Sequence, residues 1–148
     1  MSRKSITSTV YVINNDKVLL HRHKKYNSLF PVGGHLEVGE LPQEAAIREV
    51  LEEAGLEVEL WSEEKKLGLT RVKQLINPQY TLLENIGEEV ENIDFIYFAE
   101  TDEKICKPVE GESKEFYWLT EEQIKQDDSI KEHIKVMALE ALHKVCKK

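Results

Sequence analysis

The sequence lacks the features that mark membrane and secreted proteins. None of its hydrophobic runs approaches the roughly 18 apolar residues needed to cross a bilayer. No apolar stretch follows the basic residues of the first positions, as a signal peptide would require. The two cysteines, Cys106 and Cys146, have a separation that fits neither a disulfide framework nor a metal site. We therefore expect a cytoplasmic protein with no membrane partner.

A basic surface is also missing from the sequence. Lys and Arg number 20 against 28 Asp and Glu, the net charge is −8, and the one local basic run covers residues 21–25. Because nucleic-acid-binding surfaces are basic, we expect no stable nucleic-acid partner. The apolar content of 41% and the charged content of 32% are typical of a soluble globular protein. No repeat or linker divides the chain, so we expect a single domain spanning residues 1–148.

Alternating and β-branched segments predict a chain rich in strands. The predicted strands are 5–14, 17–23, 35–38, 56–60, 67–72, 80–86, 94–99 and 115–119. The first two flank the turn-forming residues 14–16 and are expected to form a hairpin. Strand 94–99 is apolar on both faces, which indicates a central position in the sheet.

Capping residues predict three helices. The first begins at Pro42, a favoured first-turn residue, and ends at Gly55, where a left-handed residue is expected. Leu41 precedes Pro42 where a polar side chain is preferred, which weakens the helix start by about 1 kcal/mol. Thr120 and Ser129 each begin a capping box, so two helices follow, the second reaching about residue 145. The predicted fold class is α/β (α+β), with a mixed sheet sandwiched between helices.

Three carboxylates share one face of the first helix. Glu49, Glu52 and Glu53 lie within one turn, whereas an apolar stripe on the opposite arc is predicted to face the sheet. That stripe comprises Ile47, Val50, Leu51 and Ala54. Like charges at this spacing repel one another, so the cluster is either a solvated acidic face or a site for a hard divalent cation. Mg²⁺ prefers such oxygen ligands.

The spacing around this cluster favours the cation site. Five residues separate Gly34 from Glu40, and seven more precede the run REVLEEAGL at 48–56. This pattern resembles the Nudix box of the Nudix hydrolase superfamily at every defined position, over residues 34–56. Seven fixed residues arise by chance in one frame with a probability on the order of 10⁻⁸.

The resemblance implies an enzyme that uses Mg²⁺ or Mn²⁺ to hydrolyse a nucleoside diphosphate linked to another moiety. It implies a loop-helix-loop catalytic motif beside the sheet, with metal held by Glu49, Glu52, Glu53 and the Gly33 backbone. Arg48 is expected to orient the glutamates. The general base in relatives is either the glutamate matching Glu49 or a carboxylate from a later loop. The later candidates here are Glu110, Glu112 and Glu115, of which Glu112 and Glu115 are favoured.

The basic run before the glycine-rich loop has two interpretations. Arg22 is predicted to bind substrate phosphate, with Gly33 and Gly34 giving the backbone close access to the ligand. The alternative interpretation is a solvated strand end. A metal site at His21 and His23 is a third interpretation, and the least favoured.

The substrate is less constrained than the reaction. Signatures of the coenzyme A, NADH and diadenosine polyphosphate subfamilies are absent, and Arg71 stands where ADP-ribose enzymes often carry proline. We therefore favour a nucleoside triphosphate or oxidised nucleotide, cut to the monophosphate as in MutT-type enzymes. The alternatives are an ADP-ribose or nucleotide-sugar pyrophosphatase, a non-catalytic nucleotide-binding module and an isoprenoid diphosphate isomerase. The chain is expected to be a monomer or homodimer.

Overall fold

Eight strands and three helices lie within residues 3–23, 27–107 and 115–145, which are the residues described by the computed structural model. In chain order the elements are β1 Arg3–Asn14, β2 Lys17–His23, β3 Ser28–Phe30, β4 Val32–His35, α1 Pro42–Ala54, β5 Glu59–Trp61, β6 Tyr80–Gly87, β7 Val90–Glu100, β8 Glu115–Leu119, α2 Glu121–Gln126 and α3 Glu132–Val145. None of the helices in the described ranges is both long enough and apolar enough to span a membrane.

Strand β1 organises the sheet. One edge of β1 runs parallel to β7 over almost its whole length, and the other pairs antiparallel with β4 and then with β2. Strand β2 also pairs with β3 and β8, while β7 also pairs with β5 and β6. The predicted mixed sheet is confirmed. The hairpin of β1 and β2 and the central position of residues 94–99 are confirmed as well.

The two faces of the sheet bury two separate cores, because successive side chains on a strand point to opposite faces. Helix α3 covers a core that includes Tyr11, Leu20 and Phe98. Helix α1 covers the other core, which includes Val10, Val12 and Tyr97. A residue's position along a strand therefore decides whether it faces α1 or α3.

The predicted strand at 67–72 is wrong. The segment 62–79 contains no strand, and Leu67 and Val72 are 58% and 66% exposed. Side-chain hydrogen bonds hold it instead: the backbone N–H of Leu67 donates to the Gln74 amide oxygen (2.9 Å), and that of Ile76 donates to Gln43 (2.7 Å). Alternating apolar residues formed no strand here because no neighbouring strand or helix buries them.

Two other strand predictions are displaced. The strand predicted at 35–38 lies earlier, at Val32–His35, because β1 pairs with the backbone of the two glycines themselves. The strand predicted at 56–60 is shorter and later, at Glu59–Trp61.

Of the two predicted helix caps, Thr120 and Ser129, only the first is present in the structure. Thr120 caps α2 as predicted, with its hydroxyl accepting from the Gln123 N–H and the Gln123 side chain accepting from the Thr120 N–H. Ser129 does not cap α3, which begins at Glu132. Its hydroxyl donates to Asp127 instead, so the sequence match there forms a turn.

Helix α1 has the predicted bounds, and its buried face agrees with the predicted stripe at Val50 and Ala54 only. Gly55 ends it in the left-handed conformation, at φ +69°. Its buried residues are Ala45, Ala46, Val50 and Ala54, whereas Ile47 and Leu51 of the predicted stripe are 41% and 44% exposed. The helix is rotated so that its small residues meet the sheet, which brings the carboxylate face against the edge of β4.

Leu41 makes no side-chain cap, although its N–H donates to the Glu44 carboxylate (2.9 Å). We expect Leu41→Ser to raise the free energy of unfolding by about 1 kcal/mol, because a serine hydroxyl would accept one of the unpaired N–H groups of the first turn. Urea denaturation of both proteins measures this change. Leu41→Ala is the matched control, because it removes the same side chain without adding an acceptor and should give no gain.

Candidate active site

The two adjacent glycines let α1 approach the sheet edge. A Cβ at Gly34 would collide with the Glu49 carboxylate, and one at Gly33 would collide with the Ser8 carbonyl oxygen. Neither glycine has a positive φ. Both are therefore required for close contact between helix and strand rather than for an unusual backbone conformation.

The backbone of β4 faces the helix carboxylates. The Gly33 N–H donates to Glu53 Oε1 (3.2 Å), and the His35 carbonyl accepts from Arg48 Nη2 (3.1 Å). In an antiparallel pair the N–H and C=O of one residue point to the same side. The Gly33 carbonyl therefore also points away from β1, toward the side where Glu53 lies.

Arg48 connects most of the acidic side chains. Its Nε and Nη2 hold the Glu40 carboxylate from both oxygens, at 2.7 and 3.0 Å. Its Nη1 donates to Glu49 Oε2 (3.2 Å) and to Glu52 Oε1 (3.0 Å). The planar guanidinium suits this fork-shaped contact. One partly buried cation thus fixes three carboxylates around the start of the acidic face.

Charge and burial divide the carboxylates into two kinds. The Arg48 hydrogen bond lowers the pKa of Glu40 from its ordinary value, so Glu40 stays ionised. The pKa of Glu49 is raised, mainly by burial and then by the charge of Glu53, which outweigh Arg48. Glu49 and Glu53 therefore repel each other in the absence of a further cation.

The donors at this edge fit a hard divalent cation. Within the described ranges no three His, Cys, Asp or Glu side chains converge closely enough to hold an ion by themselves. Mg²⁺ usually takes one or two carboxylates and completes its shell with water and substrate phosphates. Glu49, Glu53 and the Gly33 carbonyl offer a donor set of that kind. Glu52 is turned toward Arg48 and its side chain is 54% exposed.

Arg22 and Glu115 are not brought to this cluster. Arg22 lies two residues after Leu20 on β2, so its side chain points to the face that α3 covers. Its guanidinium lies 3.6 Å from the Glu115 carboxylate, 3.3 Å from the Asn27 amide oxygen and over the Tyr117 ring. The arrangement favours the interpretation of Arg22 as a strand-end residue. Glu110 and Glu112 lie outside the described residues.

Asp94 is a buried acid that no sequence pattern singled out. Asp94 is 5% exposed and accepts hydrogen bonds from the hydroxyls of Thr7 (3.0 Å) and Thr9 (2.9 Å). The only signal for it was an aspartate at the start of an otherwise apolar strand, which also fits an ordinary strand end. Asp94 lies on the α3 side of the sheet, across β1 from the glutamates.

The comparisons with known proteins agree on one family. A family model described as the NUDIX domain matches residues 3–139. A hydrolase of the NUDIX family from Clostridium perfringens is 42% identical, with a TM-score of 0.88 over 97% of this chain and 99% of that chain.

More distant structures share the fold. A MutT NUDIX hydrolase from Burkholderia pseudomallei is 15% identical, with a TM-score of 0.66 over 97% of this chain and 99% of that one. A UDP-X diphosphatase is 16% identical, with a TM-score of 0.65 over 98% of this chain and 64% of that one. The family match, the 42% identical relative and the paired glycine–glutamate geometry lead to one conclusion: the chain belongs to the Nudix hydrolase family.

Proposed function

We propose that this Nudix hydrolase is a Mg²⁺-dependent pyrophosphohydrolase that cuts a nucleoside triphosphate, ordinary or oxidised, to its monophosphate. One observation carries the proposal. The Glu53 carboxylate accepts the Gly33 N–H and the Glu49 carboxylate packs against Gly34, so two carboxylates and a backbone carbonyl line one edge of β4. Hydrolysis of a phosphoric anhydride requires neutralised phosphate oxygens and a positioned water.

Each residue of this edge would have a separate role in the reaction. Glu49, Glu53 and the Gly33 carbonyl would hold the ion, with Glu52 available at the solvent side. Bound magnesium would neutralise charge on the phosphate oxygens and acidify a coordinated water. Arg48 would hold the carboxylates of Glu40, Glu49 and Glu52 in position without touching the substrate. Glu49 is the base candidate within the described residues, and Glu112 is the candidate from the later loop.

A nucleotide panel tests the reaction and the substrate together. The panel comprises ribo- and deoxynucleoside triphosphates, oxidised triphosphates, ADP-ribose, a UDP-sugar and a diadenosine polyphosphate, each with Mg²⁺ or Mn²⁺. We expect triphosphates to give the monophosphate and pyrophosphate, so phosphate appears only when inorganic pyrophosphatase is added. Chromatography of the nucleotide product confirms the position of the cut.

Each other outcome of the panel contradicts part of the proposal. Faster cleavage of ADP-ribose or of the UDP-sugar than of any triphosphate would mean that the faster-cleaved compound, and not a triphosphate, is the preferred substrate. Phosphate release without pyrophosphatase would mean a terminal cut rather than a pyrophosphate cut. Nucleotide binding without turnover of any substrate would indicate a non-catalytic binding module. A Glu53→Gln preparation purified in parallel detects contaminating phosphatases.

A further inference from the structure

Strand β6 is an edge of the sheet with little protection against pairing. One side of β6 pairs with β7, and within the described ranges no strand pairs with its other side. Alternate residues of such a strand point their N–H and C=O groups away from the existing partner. Charged residues on an edge strand usually prevent pairing with another chain. Strand β6 has one charged residue, Glu84, among eight, whereas its Leu83 and Ile86 are exposed.

An apolar row on the α1 side of the sheet ends at this edge. Ile6 on β1, Ile93 on β7 and Leu83 on β6 are successive cross-strand neighbours. They point to the same face as Tyr97, which belongs to the core that α1 covers. Ile6 and Leu83 are nevertheless exposed, so α1 does not cover this row. A second sheet placed beside β6 would continue it.

The segment 62–79, here called the insertion, interrupts one strand line. Strand β5 ends opposite Phe98 and β6 begins opposite Ile96, so the insertion leaves and rejoins the same edge of β7. Lys144 Nζ holds both of its ends, at 3.3 Å from the Glu63 carboxylate and 3.4 Å from the Gln79 amide oxygen. The anchored insertion still exposes four large apolar side chains, which are Leu67, Leu69, Val72 and Leu75.

The insertion is also basic, in an otherwise acidic chain. Residues 65–79 contain four Lys and Arg and none of the 28 Asp and Glu, although the net charge of the chain is −8. The four are Lys65, Lys66, Arg71 and Lys73, and all are exposed. Opposite charge lies at the other end of β6, where the exposed Glu88 and Glu89 form the turn to β7. Basic and acidic surfaces thus flank the same strand.

We propose that two copies of this chain pair antiparallel through their β6 edges, about a two-fold axis near Leu83. Antiparallel pairing places the residues before Tyr80 of one copy beside the residues after Gly87 of the other. The basic insertion of each copy therefore meets the acidic turn of the other. The two Leu83 side chains pack together at the axis, and the apolar row continues across it. A second copy supplies both a matching strand edge and matching charge.

The size of the edge explains why the insertion takes part. Eight residues form an edge about 27 Å long, which is too small by itself for the about 800 Å² per partner that a stable interface buries. A two-fold contact uses the same surface in both copies and is closed, so it leaves no β6 edge for a third copy. The inference does not depend on the proposed reaction, because none of these residues is a proposed metal ligand.

Analytical ultracentrifugation of the full chain, from micromolar to millimolar concentration, tests the inference. We expect a monomer–dimer equilibrium. Leu83→Arg should raise the Kd of the dimer about 100-fold or more, because two like charges would meet at the axis. Val136→Arg is the matched control, because it adds the same charge on α3 at a side chain that is 57% exposed, against 60% for Leu83. It should dimerise like the parent chain.

Two further measurements locate the contact. Lys73→Glu and Glu88→Lys should each raise the Kd about tenfold, and the double variant should recover most of the affinity, because the opposite charges are exchanged. Both positions are exposed, so neither change should unfold the sheet. Amide hydrogen exchange over residues 80–87 should become slower as the concentration of the parent chain rises, and should not change with concentration in Leu83→Arg.

The other outcomes contradict the inference. A monomer at every concentration would overturn it. A dimer that Leu83→Arg leaves intact, or that gives β6 no added protection from exchange, would mean an interface elsewhere. Weakening by both charge variants without recovery in the double variant would contradict the proposed register. A monomer that sediments with vesicles of phosphatidylcholine and phosphatidylserine, but not of phosphatidylcholine alone, would assign the insertion to an anionic lipid surface instead.

Discussion

Glu53→Gln is expected to lower kcat by about three orders of magnitude or more while the protein remains folded. The glutamine oxygen can still accept the Gly33 N–H that Glu53 accepts at 3.2 Å, so the contact between helix and strand is kept. The substitution removes the negative charge that faces Glu49. Without it, the proposed cation would lose one of two carboxylates, and each tenfold loss in rate corresponds to about 1.4 kcal/mol of transition-state stabilisation.

The same variant has a second, non-kinetic readout. A ligand that binds only the folded protein raises its melting temperature, so Mg²⁺ should stabilise the parent chain and should stabilise Glu53→Gln much less. Without metal the variant should be as stable as the parent or slightly more so, because one repulsive pair is gone. Glu44→Gln, on the same helix, makes the same change in charge and keeps an acceptor for the Leu41 N–H. It should retain both activity and Mg²⁺ stabilisation. If the activity of Glu53→Gln lies within tenfold of that of the parent chain, Glu53 is not a ligand of the catalytic cation.

The sequence was most informative where spacing encoded chemistry. The box at 34–56 identified the family and the helix from Pro42, because few other arrangements place a glycine pair, an arginine and three glutamates at these distances. The same sequence did not determine which arc of that helix meets the sheet. Apolar periodicity favoured Val50 and Ala54, which are buried, but it also favoured Ile47 and Leu51. The close approach of Glu49 to Gly34 turns those two outward and brings the small residues Ala45 and Ala46 to the sheet.

Contacts between distant residues were beyond the sequence patterns. The sequence left Arg22 open as a phosphate ligand or a solvated strand end, and the strand position that turns its side chain toward α3 follows only from the fold. Asp94 and Tyr11 are 83 positions apart, and only the parallel pairing of β1 with β7 brings them to one cavity. No local pattern records such a pairing, because it depends on which strands become neighbours.

Arg48→Ala is expected to lower kcat about 100-fold and the free energy of unfolding by about 2 kcal/mol. The stability figure lies between the values for exposed and buried ion pairs, because the side chains of Arg48 and Glu40 are 20% and 13% exposed. Removing the guanidinium leaves Glu40, Glu49 and Glu52 without the cation that holds them, and it frees the His35 carbonyl. The carboxylates would then move apart, which would misplace the proposed ligands without removing any of them.

Two measurements test whether Arg48 positions the glutamates or only stabilises the fold: the activity of Arg48→Lys and the pH dependence of the stability that Arg48 contributes. Arg48→Lys keeps the positive charge but cannot hold both Glu40 oxygens while reaching Glu49, so we expect about a tenfold loss in kcat with most of the stability retained. The Arg48 contact lowers the pKa of Glu40. The stability it contributes is therefore present above the ordinary glutamate value of 4.5 and is lost as the pH falls through the lowered pKa.

Urea denaturation at pH 7 and at progressively lower pH should accordingly show the difference between the parent chain and Arg48→Ala becoming smaller as Glu40 is protonated. A difference that stays constant with pH would mean that packing of the arginine side chain, rather than its ion pair with Glu40, stabilises the fold. Equal activity of the alanine and lysine variants would mean that the charge of Arg48 has no part in placing the glutamates. Full activity of both would contradict the positioning role. Glu53 accepts the Gly33 N–H, so its place on β4 should persist in both variants, and any loss of activity should come from the carboxylates that Arg48 itself holds.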